Sequence, residues 1–408
     1  MENVKYLILG AGPAGLTFAS RLKQLGEDSF AVLEKENEAG GLCRSVMVDG
    51  SPFDIGGGHF LDTRRPLVNE FLFRFMPREE WELFERDSRI LIENLEIGHP
   101  LEANIWQLAG EQQEEILASI AAAGCNSGRE MPVRFKEWIV WKLGEKIAEM
   151  YMLPYNRKMF CDELDELGTY WLEKLPSVSY EETLRSCRMR KAYGKQPGHA
   201  TFYYPKKYGY GEVWLRMAAE LGDHIRYQAN VQELDVDRCC VRTADGSYIK
   251  AEKIISTIPW GSFSQIRGMD EELHGLIASL KHSAVETRYV KENLDTEAQW
   301  LYIPDEDKPY HRILVRHNFC KGSRGYWLET RKERVPMYTE PTDFAYMNEY
   351  AYPMNTIGKV EAMQKILAFC RAKGIYGLGR WGEHSHYNSD VVVEAAMKFA
   401  EMWREKSH

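Results

Sequence analysis

Three glycines near the N-terminus and one glutamate further on have the types and spacing of a dinucleotide-binding site. Gly10, Gly12 and Gly15 follow an apolar strand at residues 5–9 and open a helical pattern. In such a loop the first glycine permits a tight turn, the second lets the backbone approach a pyrophosphate, and the third lets the helix pack on the strand. Glu34 ends a second apolar strand, where its carboxylate can accept hydrogen bonds from ribose hydroxyls. The pattern predicts a dinucleotide whose phosphates lie at a helix N-terminus.

Two segments that follow this unit favour FAD over NAD. Arg44 comes shortly after a second glycine pair and beyond the ribose-binding acid, where it could neutralise pyrophosphate charge. Gly57 is the middle residue of a run of three glycines that precedes His59. Because glycines permit close approach of the backbone to a flat ring, His59 could lie against an isoalloxazine.

The chain also returns to the cofactor near its C-terminus. Gly379 and Arg380 belong to a second glycine-rich turn, and Asn388 and Asp390 flank the start of a helix. A capped helix N-terminus beside a glycine turn is favourable for an anion, and an NAD dehydrogenase has no need of such a return. Val231, at the end of a strand assigned to the same domain, completes the predicted cofactor-binding residues. We therefore expect FAD, held without a covalent bond.

The composition narrows the class of protein. The chain has 408 residues, 44% hydrophobic content and a formal net charge of −9, which suits two or three packed domains and argues against nucleic acid as a partner. No run of about eighteen apolar residues is present, so no membrane span is expected. The N-terminus enters the first strand at once, which leaves no room for a signal peptide and favours the cytoplasm. The eight cysteines are scattered, and no metal is expected.

The elements that must position these residues predict an α/β protein. Helical periodicity covers residues 67–87, short alternating strands fill 285–330, and residues 225–231 have the pattern of one strand. The predicted architecture is a two-segment Rossmann-like FAD-binding domain with a helical insertion and an antiparallel sheet domain. The predicted boundaries are 1–66, 209–265 and 345–408 for the FAD-binding domain, 67–87 and 104–195 for the helical domain, and 88–103, 196–208 and 266–344 for the sheet domain.

Longer motifs extend over nearly the whole chain. A helical segment leads to Pro154-Tyr155-Asn156, and Thr201-Phe202-Tyr203-Tyr204-Pro205 precedes a glycine-rich turn. Towards the C-terminus, Tyr350-Ala351-Tyr352-Pro353 is followed by Gly374-Ile375-Tyr376 and by Gly379-Arg380-Trp381-Gly382. These segments resemble the UDP-galactopyranose mutase family, more its eukaryotic type than its bacterial one, within the wider FAD group that includes amine and protoporphyrinogen oxidases.

The resemblance implies an unusual use of flavin. In that family N5 of the reduced flavin attacks the anomeric carbon of a nucleotide sugar, the adduct opens and recloses at another hydroxyl, and a pyranose and a furanose interconvert without net redox change. This implies a mutase, an intramolecular transferase, that takes a nucleotide-diphosphate sugar or other small molecule and needs NADPH or NADH as an external reductant. The alternative is an oxidoreductase of the amine-oxidase or protoporphyrinogen-oxidase type, in which the substrate reduces FAD by hydride transfer.

The same resemblance implies roles for residues at the substrate. His59 and Arg312 are implied to be catalytic, and Arg312 is implied to be one of two arginines that clamp the diphosphate. Substrate binding is implied for Tyr155, Asn156, Tyr203, Arg312, Tyr352 and His386.

Two of these positions depart from the family pattern. Tyr203 stands where the second clamp arginine is expected, and His386 stands where a tyrosine is expected. Loss of an arginine removes a bidentate, always-charged donor. Lys206, Lys207 or Arg316 could replace that donor in part, and a protonated His386 could do the same.

Overall fold

The computed structural model describes residues 2–172, 175–195, 198 and 200–405. Its strands and helices are numbered β1–β20 and α1–α11 in chain order. Residues 173–174, 196–197 and 199, which the predicted boundaries place in the helical and sheet domains, lie outside the described part. Within that part, no helix is both long and apolar enough to cross a bilayer.

A mixed eight-stranded sheet carries the predicted dinucleotide-binding unit. Four neighbouring strands, β10, β2, β1 and β13, run parallel. The C-terminal half of β1 and all of β2 are buried, as expected for parallel strands that are covered on both faces. In sheet order the strands are β10 (Ile225–Arg226), β2 (Phe30–Leu33), β1 (Glu2–Leu9), β13 (Tyr248–Ser256), β12 (Cys240–Thr243), β11 (Val231–Asp235) and β14 (Gln265–Arg267), with β20 (Ile375–Gly377) paired to β13.

Helices from both ends of the chain pack on this sheet. The first begins at Pro13, whose missing N–H suits the first helical position. The last helix, α11, packs along α1 and so brings the C-terminal return to the glycine loop. The helices of this part are α1 (Pro13–Gln24), α7 (Glu212–Leu221), α8 (Glu271–Ala278), α9 (Lys359–Ala372), α10 (Gly379–Gly382) and α11 (Ser389–Glu405).

A seven-stranded sheet forms the other wall of the site. It is antiparallel except for the parallel pair of β16 and β7. The register of β17 and β18 places Arg312 directly opposite Glu329, which brings two opposite charges together on one face. In sheet order the strands are β19 (Ala345–Pro353), β15 (His282–Val290), β18 (Tyr326–Arg331), β17 (Arg312–Leu314), β16 (Trp300–Tyr302), β7 (Ser88–Ile92) and β8 (Leu95–Gly98).

The helical part packs its own apolar core against this sheet. A π-helical turn at Ala148–Met152 joins the second of its helices to the third, and Tyr151 and Tyr155 lie buried on that segment. Its helices are α3 (Gly110–Ala122), α4 (Phe135–Ile147), α5 (Leu153–Met159) and α6 (Tyr180–Met189). The remaining elements are α2 (Pro66–Phe73), the pair β3 (Ser45–Val48) and β4 (Ser51–Asp54), and the small sheet of β5 (Leu61–Asp62), β9 (Thr201–Pro205) and β6 (Trp81–Glu85).

The predicted fold class is confirmed, and four local details differ from the prediction. Residues 266–278, which the predicted boundaries place in the antiparallel sheet domain, contain the end of β14 and all of α8, which belong with the eight-stranded sheet because β14 pairs with β11 and α8 packs on α9. Residues 67–87 are not one helix, because 81–85 alternate in burial and pair with β9 as a strand. Residues 225–231 are not one strand, because the chain turns at Gln228 with φ of +57° and passes from one edge of the sheet towards the other. Ala345–Pro353, which the predicted boundaries group with the FAD-binding pieces, is an edge strand of the seven-stranded sheet.

Candidate active site

A cavity of about 610 Å³ opens where β1 and β2 end. This edge of a parallel sheet is where α/β folds bind their ligands, and cavities of roughly 300–1,000 Å³ hold drug-sized molecules and cofactors. Most of the residues predicted to bind a cofactor line it, namely Gly10, Gly12, Glu34, Arg44, His59, Val231 and Arg380.

Gly15 and Gly379 are needed for close packing around the glycine loop and do not line the cavity, whereas Gly10 both lines the cavity and forms the turn. Gly10 has φ of +98°, so the tight turn itself favours glycine. A Cβ on Gly15 would lie 2.0 Å from the carbonyl oxygen of Gly10. A Cβ on Gly379 would lie 2.6 Å from Cβ of Ala14. The C-terminal return is therefore packed directly against the glycine loop.

Glu34 is a buried carboxylate at the rim of this cavity. Its Oε2 accepts a hydrogen bond from the Ala11 N–H at 2.8 Å, and its Oε1 accepts one from the Glu36 N–H at 3.0 Å. Each oxygen keeps acceptor capacity, because a carboxylate offers about four lone-pair sites. The acid can therefore hold the glycine loop and accept from ribose hydroxyls at the same time, which fits a dinucleotide.

Glu34→Gln is expected to weaken FAD retention by about 10–100-fold, the value of one or two charge-assisted hydrogen bonds. The amide nitrogen would also face a backbone donor. The measurement is FAD affinity after removal and re-addition of the cofactor. Glu361→Gln, at an exposed carboxylate on α9, is the matched control and should bind as wild type does. Equal FAD affinity in all three proteins would contradict the role of Glu34.

Two arginines place positive charge along the cavity. The Arg44 guanidinium donates to the Tyr346 hydroxyl at 2.7 Å and lies 3.7 Å from the Glu36 carboxylate. Arg380 donates to the carbonyl oxygens of Tyr387 and Ala351 at 2.7–3.0 Å. Burial lowers the pKa of Arg380. A dinucleotide pyrophosphate would supply the negative charge that these two groups favour.

A second cavity, of about 220 Å³, adjoins the first. His59, Arg380 and Ser389 line both cavities. The second cavity therefore begins where the predicted flavin-side residues lie, and a ligand in it would be a neighbour of the cofactor. Its other lining residues include Arg86, Trp300, Arg312, Tyr352, His386 and Asn388.

Arg312 is held in this second cavity by a buried carboxylate. Its Nε donates to Glu329 Oε2 at 2.9 Å, its Nη2 also contacts that oxygen, and Nη2 donates to the Tyr352 hydroxyl at 3.2 Å. Burial raises the pKa of Glu329, but the charge of the adjacent Arg312 outweighs it, and the pKa is lowered to about 2. The Tyr352 ring in turn lies 4.8 Å from the His386 ring. Arg312, Tyr352 and His386 thus form one polar wall of the second cavity.

His59 is a neutral imidazole between the two cavities. Its Nδ1 lies 3.0 Å from the Gly57 carbonyl oxygen, an acceptor only, so Nδ1 carries the proton and Nε2 has the free lone pair. Burial, followed by the charge of Arg380, lowers the pKa of His59 to about 4. Gly57 itself has φ of +82°, and a Cβ there would lie 2.1 Å from Glu329 Oε1. The glycine run thus lets the flavin-side loop approach the Arg312 pair.

Three residues predicted at the cofactor or substrate face elsewhere. Asn156 donates to the Met152 carbonyl oxygen at 2.7 Å within its own helical segment. Tyr155 packs behind the cavity, with its ring 5.4 Å from that of Tyr302. Asp390 forms an ion pair with Arg65 at 2.6 Å, so its carboxylate ties α11 to the loop before α2. Asn388 and Ser389, just before it, are the residues that reach the second cavity.

Tyr203 is also directed away from the cavity. Side chains alternate along a strand, and the neighbours of Tyr203 in β9, Phe202 and Tyr204, point inward against Phe60. The Tyr203 ring lies 4.3 Å from the Arg78 guanidinium on the other face. An arginine at position 203 would face outward as well, so this position is not a clamp position in this chain.

The lysines and the arginine expected to compensate do not reach the cavity either. Lys206 donates to the Glu79 carbonyl oxygen at 2.8 Å on the surface. Lys207 is exposed. Arg316 is fully buried and donates to the carbonyl oxygens of Val48 and Arg324 at 2.5–3.0 Å. Arg316 therefore has a structural role, because it links the backbone at Val48 to the backbone at Arg324.

A further cationic group of the second cavity, beside Arg312 and Arg380, is Arg86, which the sequence did not reveal. It directly follows β6, and its guanidinium donates to the Tyr302 hydroxyl at 2.7 Å and to the Gly198 carbonyl oxygen at 2.6 Å. It also lies 4.8 Å from the Trp300 ring. Its position directly after a strand could have identified Arg86 as a candidate site residue. The sequence pattern predicts a helix over residues 67–87, so this strand end was not recognised.

If the anion that this cavity favours is a nucleoside diphosphate such as UDP, Arg86→Met should weaken its binding by about 10–100-fold, because it removes a charge-assisted contact, while FAD content stays unchanged. Isothermal titration with UDP measures this. Arg78→Met, which removes the outward arginine beside Tyr203, is the matched control and should leave UDP binding unchanged. Tyr203→Arg should likewise give no gain in affinity. A gain with Tyr203→Arg, or no loss with Arg86→Met, would contradict this assignment of the two faces of the small sheet.

The overall fold is similar to that of known flavoproteins. A crystal structure of reduced UDP-galactopyranose mutase matches with a TM-score of 0.88 at 22% identity, over 99% of this chain and 94% of that one. A double mutant of putrescine oxidase matches with a TM-score of 0.64 at 14% identity, over 98% and 99% of the two chains. A segment of 55 residues is 40% identical to the inactive all-trans-retinol 13,14-reductase of Danio rerio, and it spans only 9% of that relative's length.

The family assignment agrees with the cavity geometry. The two structural likenesses establish the fold, and in this chain the glycine loop and the C-terminal return line one cavity. Residues 13–287 match the family model described as flavin containing amine oxidoreductase, a range that covers more than half of the 408 residues. The chain belongs to the flavin containing amine oxidoreductase family, and it is a flavoenzyme.

Proposed function

We propose that this flavoenzyme is a mutase of a nucleotide-diphosphate sugar. The observation that carries the proposal is the pair of arginines, Arg86 and Arg312, in a cavity that adjoins the cofactor cavity. In the described lining of that cavity the charged side chains are three arginines, the third being Arg380, and no carboxylate. A cavity of this charge favours a ligand with two or more negative charges, and a nucleoside diphosphate is such a ligand.

The cofactor of the proposal is noncovalent FAD. Gly10, Gly12 and Glu34 would hold its adenosine and pyrophosphate, and Arg44 and Arg380 would offset the phosphate charge. When bound and reduced, a flavin supplies a nucleophile to the anomeric carbon of a sugar. We propose NADPH or NADH as the reductant. Acid denaturation should release free FAD, and cofactor that stays with the precipitated chain would contradict noncovalent binding.

The residues of the second cavity stabilise the negative charge that develops on the diphosphate during such a reaction. Arg86 and Arg312 donate to the diphosphate, whose charge is greatest when its bond to the sugar is broken. The Tyr352 hydroxyl oxygen accepts from Arg312, which leaves the hydroxyl proton of Tyr352 to donate to the same anion. His59, neutral and with its Nε2 lone pair free, can accept a hydrogen bond without adding charge between the two ligands. The neutral state also limits repulsion with Arg380.

A second candidate function is an oxidoreductase that acts by hydride transfer. Two observations favour it. Glu329 offsets the charge of Arg312, which weakens the grip of that residue on an anion. The cavity also has aromatic walls at Phe60, Trp300 and Tyr352, which suit an apolar or cationic substrate. Among the flavin containing amine oxidoreductases such a substrate would reduce the flavin.

Binding specificity separates the two candidates. The mutase proposal predicts that UDP binds the FAD-loaded protein at least tenfold more tightly than UMP, because the second phosphate reaches Arg86 and Arg312. A panel of primary and polyamines should leave the oxidised flavin spectrum unchanged in the absence of oxygen. Bleaching of the flavin by one of these amines, with equal or no binding of UDP and UMP, would establish the oxidoreductase instead.

A further inference from the structure

Behind Arg312 lies a buried group of polar atoms that the proposed function leaves unused. His311 is 0% exposed and Glu329 is 1% exposed. Three of their side-chain atoms have no hydrogen-bond partner within the part of the chain that the structure describes. They are both ring nitrogens of His311 and Oε1 of Glu329. Unpaired buried polar atoms are costly, so each such atom in a folded protein calls for an explanation.

The two side chains are close but not bonded. His311 Nε2 lies 3.6 Å from Glu329 Oε2, beyond normal hydrogen-bond distance. The same carboxylate oxygen accepts from the Arg312 guanidinium. In the free protein one cation, Arg312, therefore compensates the one buried anion, and His311 is not needed as a second cation.

The remaining groups around His311 favour its neutral form in that state. Arg312, the first residue of β17, follows His311 in the chain, and Lys158 and Tyr155 approach from α5. Lys158 donates to the carbonyl oxygens of Ile303 and Asp305 at 2.9 and 2.6 Å. Burial is the main reason that the pKa of His311 is lowered. The charge of Glu329 opposes this effect, and the charges of Arg312 and Lys158 add to it.

An anion in the second cavity changes this balance. The Arg312 guanidinium would then be shared between Glu329 and the ligand, and a further negative charge would lie nearby. Both changes favour the protonated imidazole, since an added anion raises the pKa of a neighbouring histidine. A proton on Nε2 could be donated to Glu329 after a small approach of the two side chains.

We propose that Glu329 and His311 are positioning residues for Arg312, and that binding of a nucleoside diphosphate is accompanied by uptake of a proton on His311. The proton comes from the buffer, no bond other than N–H is formed, and no electron moves. The protonated His311 then compensates the charge of Glu329, so the Arg312 guanidinium is available to bind the ligand. This inference rests on the proposed function, because it takes an anionic ligand at Arg312 as given.

The first test measures proton uptake with UDP as the probe. Isothermal titration at pH 7.5 in buffers of different ionisation enthalpy gives the number of protons bound, which is expected to approach about one per UDP in the wild type. His311→Asn and Glu329→Gln should abolish the uptake. His384→Asn, at a buried histidine outside the second cavity whose Nε2 lies 2.9 Å from the Lys281 carbonyl oxygen, is the control and should retain it. Uptake that persists in His311→Asn overturns the inference, as does UDP binding without uptake in the wild type.

A second test needs no ligand and separates this inference from the proposed function. In Arg312→Met the buried Glu329 loses its cation, and His311 should become protonated in its place. A histidine pKa that is raised in the folded state adds stability at low pH, and the gain is lost as the pH rises through that pKa. The stability deficit of Arg312→Met should therefore shrink from pH 8 to pH 6 in urea unfolding. Adding His311→Asn should remove most of that recovery. Equal deficits with and without His311, or a variant unfolded at both pH values, overturn the inference even if UDP does not bind.

Discussion

Arg312→Met is expected to lower the free energy of unfolding at pH 8 by about 3–5 kcal/mol, because it leaves the Glu329 carboxylate buried without its cation. The same substitution should weaken UDP binding by about 10–100-fold, since it removes a charge-assisted contact to the ligand. Urea unfolding and isothermal titration measure the two effects separately. The stability effect is the larger one, since Glu329 is almost completely buried.

The double variant Arg312→Met with Glu329→Gln distinguishes the two effects. Removing the charge of the carboxylate should restore most of the lost stability, because a neutral pair can replace a buried ion pair at little cost. UDP binding should stay as weak as in the single variant. If the double variant binds UDP as wild type does, Arg312 does not contact the ligand. If it recovers no stability, the ion pair is not the cause of the loss.

Gly15→Val is expected to reduce FAD content below about a tenth of the wild-type value and to destabilise the protein by roughly 2–4 kcal/mol. The reason is geometric: a Cβ at this position would lie 2.0 Å from the Gly10 carbonyl oxygen. Relief requires α1 to move away from β1, which shifts the helix N-terminus that would hold the pyrophosphate. Flavin absorbance per chain and urea unfolding measure the two effects.

Gly275→Ala is the matched control for this glycine. It lies within α8, where a Cβ would meet no atom within 4 Å. It should leave FAD content unchanged and stabilise the helix by about 0.5–1 kcal/mol. FAD content in Gly15→Val equal to that of this control would contradict the role of the glycine loop.

The sequence predicts which residues meet at the first cavity because the relevant signals are local. Gly10, Gly12, Gly15 and Glu34 belong to one continuous βαβ unit, in which the turn, the helix start and the strand end follow one another along the chain. Arg380 was found for a similar reason, since a glycine-rich turn and a capped helix adjoin it. Asp390 shows the limit of such reasoning: its position at a helix start did not reveal that Arg65 occupies its carboxylate.

The substrate half depends on contacts that the sequence does not show. The pairing of Arg312 with Glu329 arises from the register of two antiparallel strands. Tyr203 was placed at the ligand from its position in a motif, but the alternation of β9 turns it outward. Arg86 was missed because residues 81–85 were interpreted as helix, and only their pairing with β9 makes Arg86 the residue after a strand. Motif position identifies a segment, and strand register decides which face its side chains occupy.

The most direct test of the proposed mutase compares the number of sugar molecules isomerised with the number of electrons supplied to the flavin. The FAD-loaded protein is reduced once with a stoichiometric amount of dithionite, sealed from oxygen, and mixed with an excess of a nucleotide-diphosphate sugar such as UDP-galactopyranose. Chromatography follows the pyranose and furanose forms while absorbance follows the flavin. A mutase should give many isomerised sugars per reduced flavin, with the flavin still reduced at the end and no turnover in the oxidised protein. At most one product per two electrons, or product only with oxidised flavin, would contradict it.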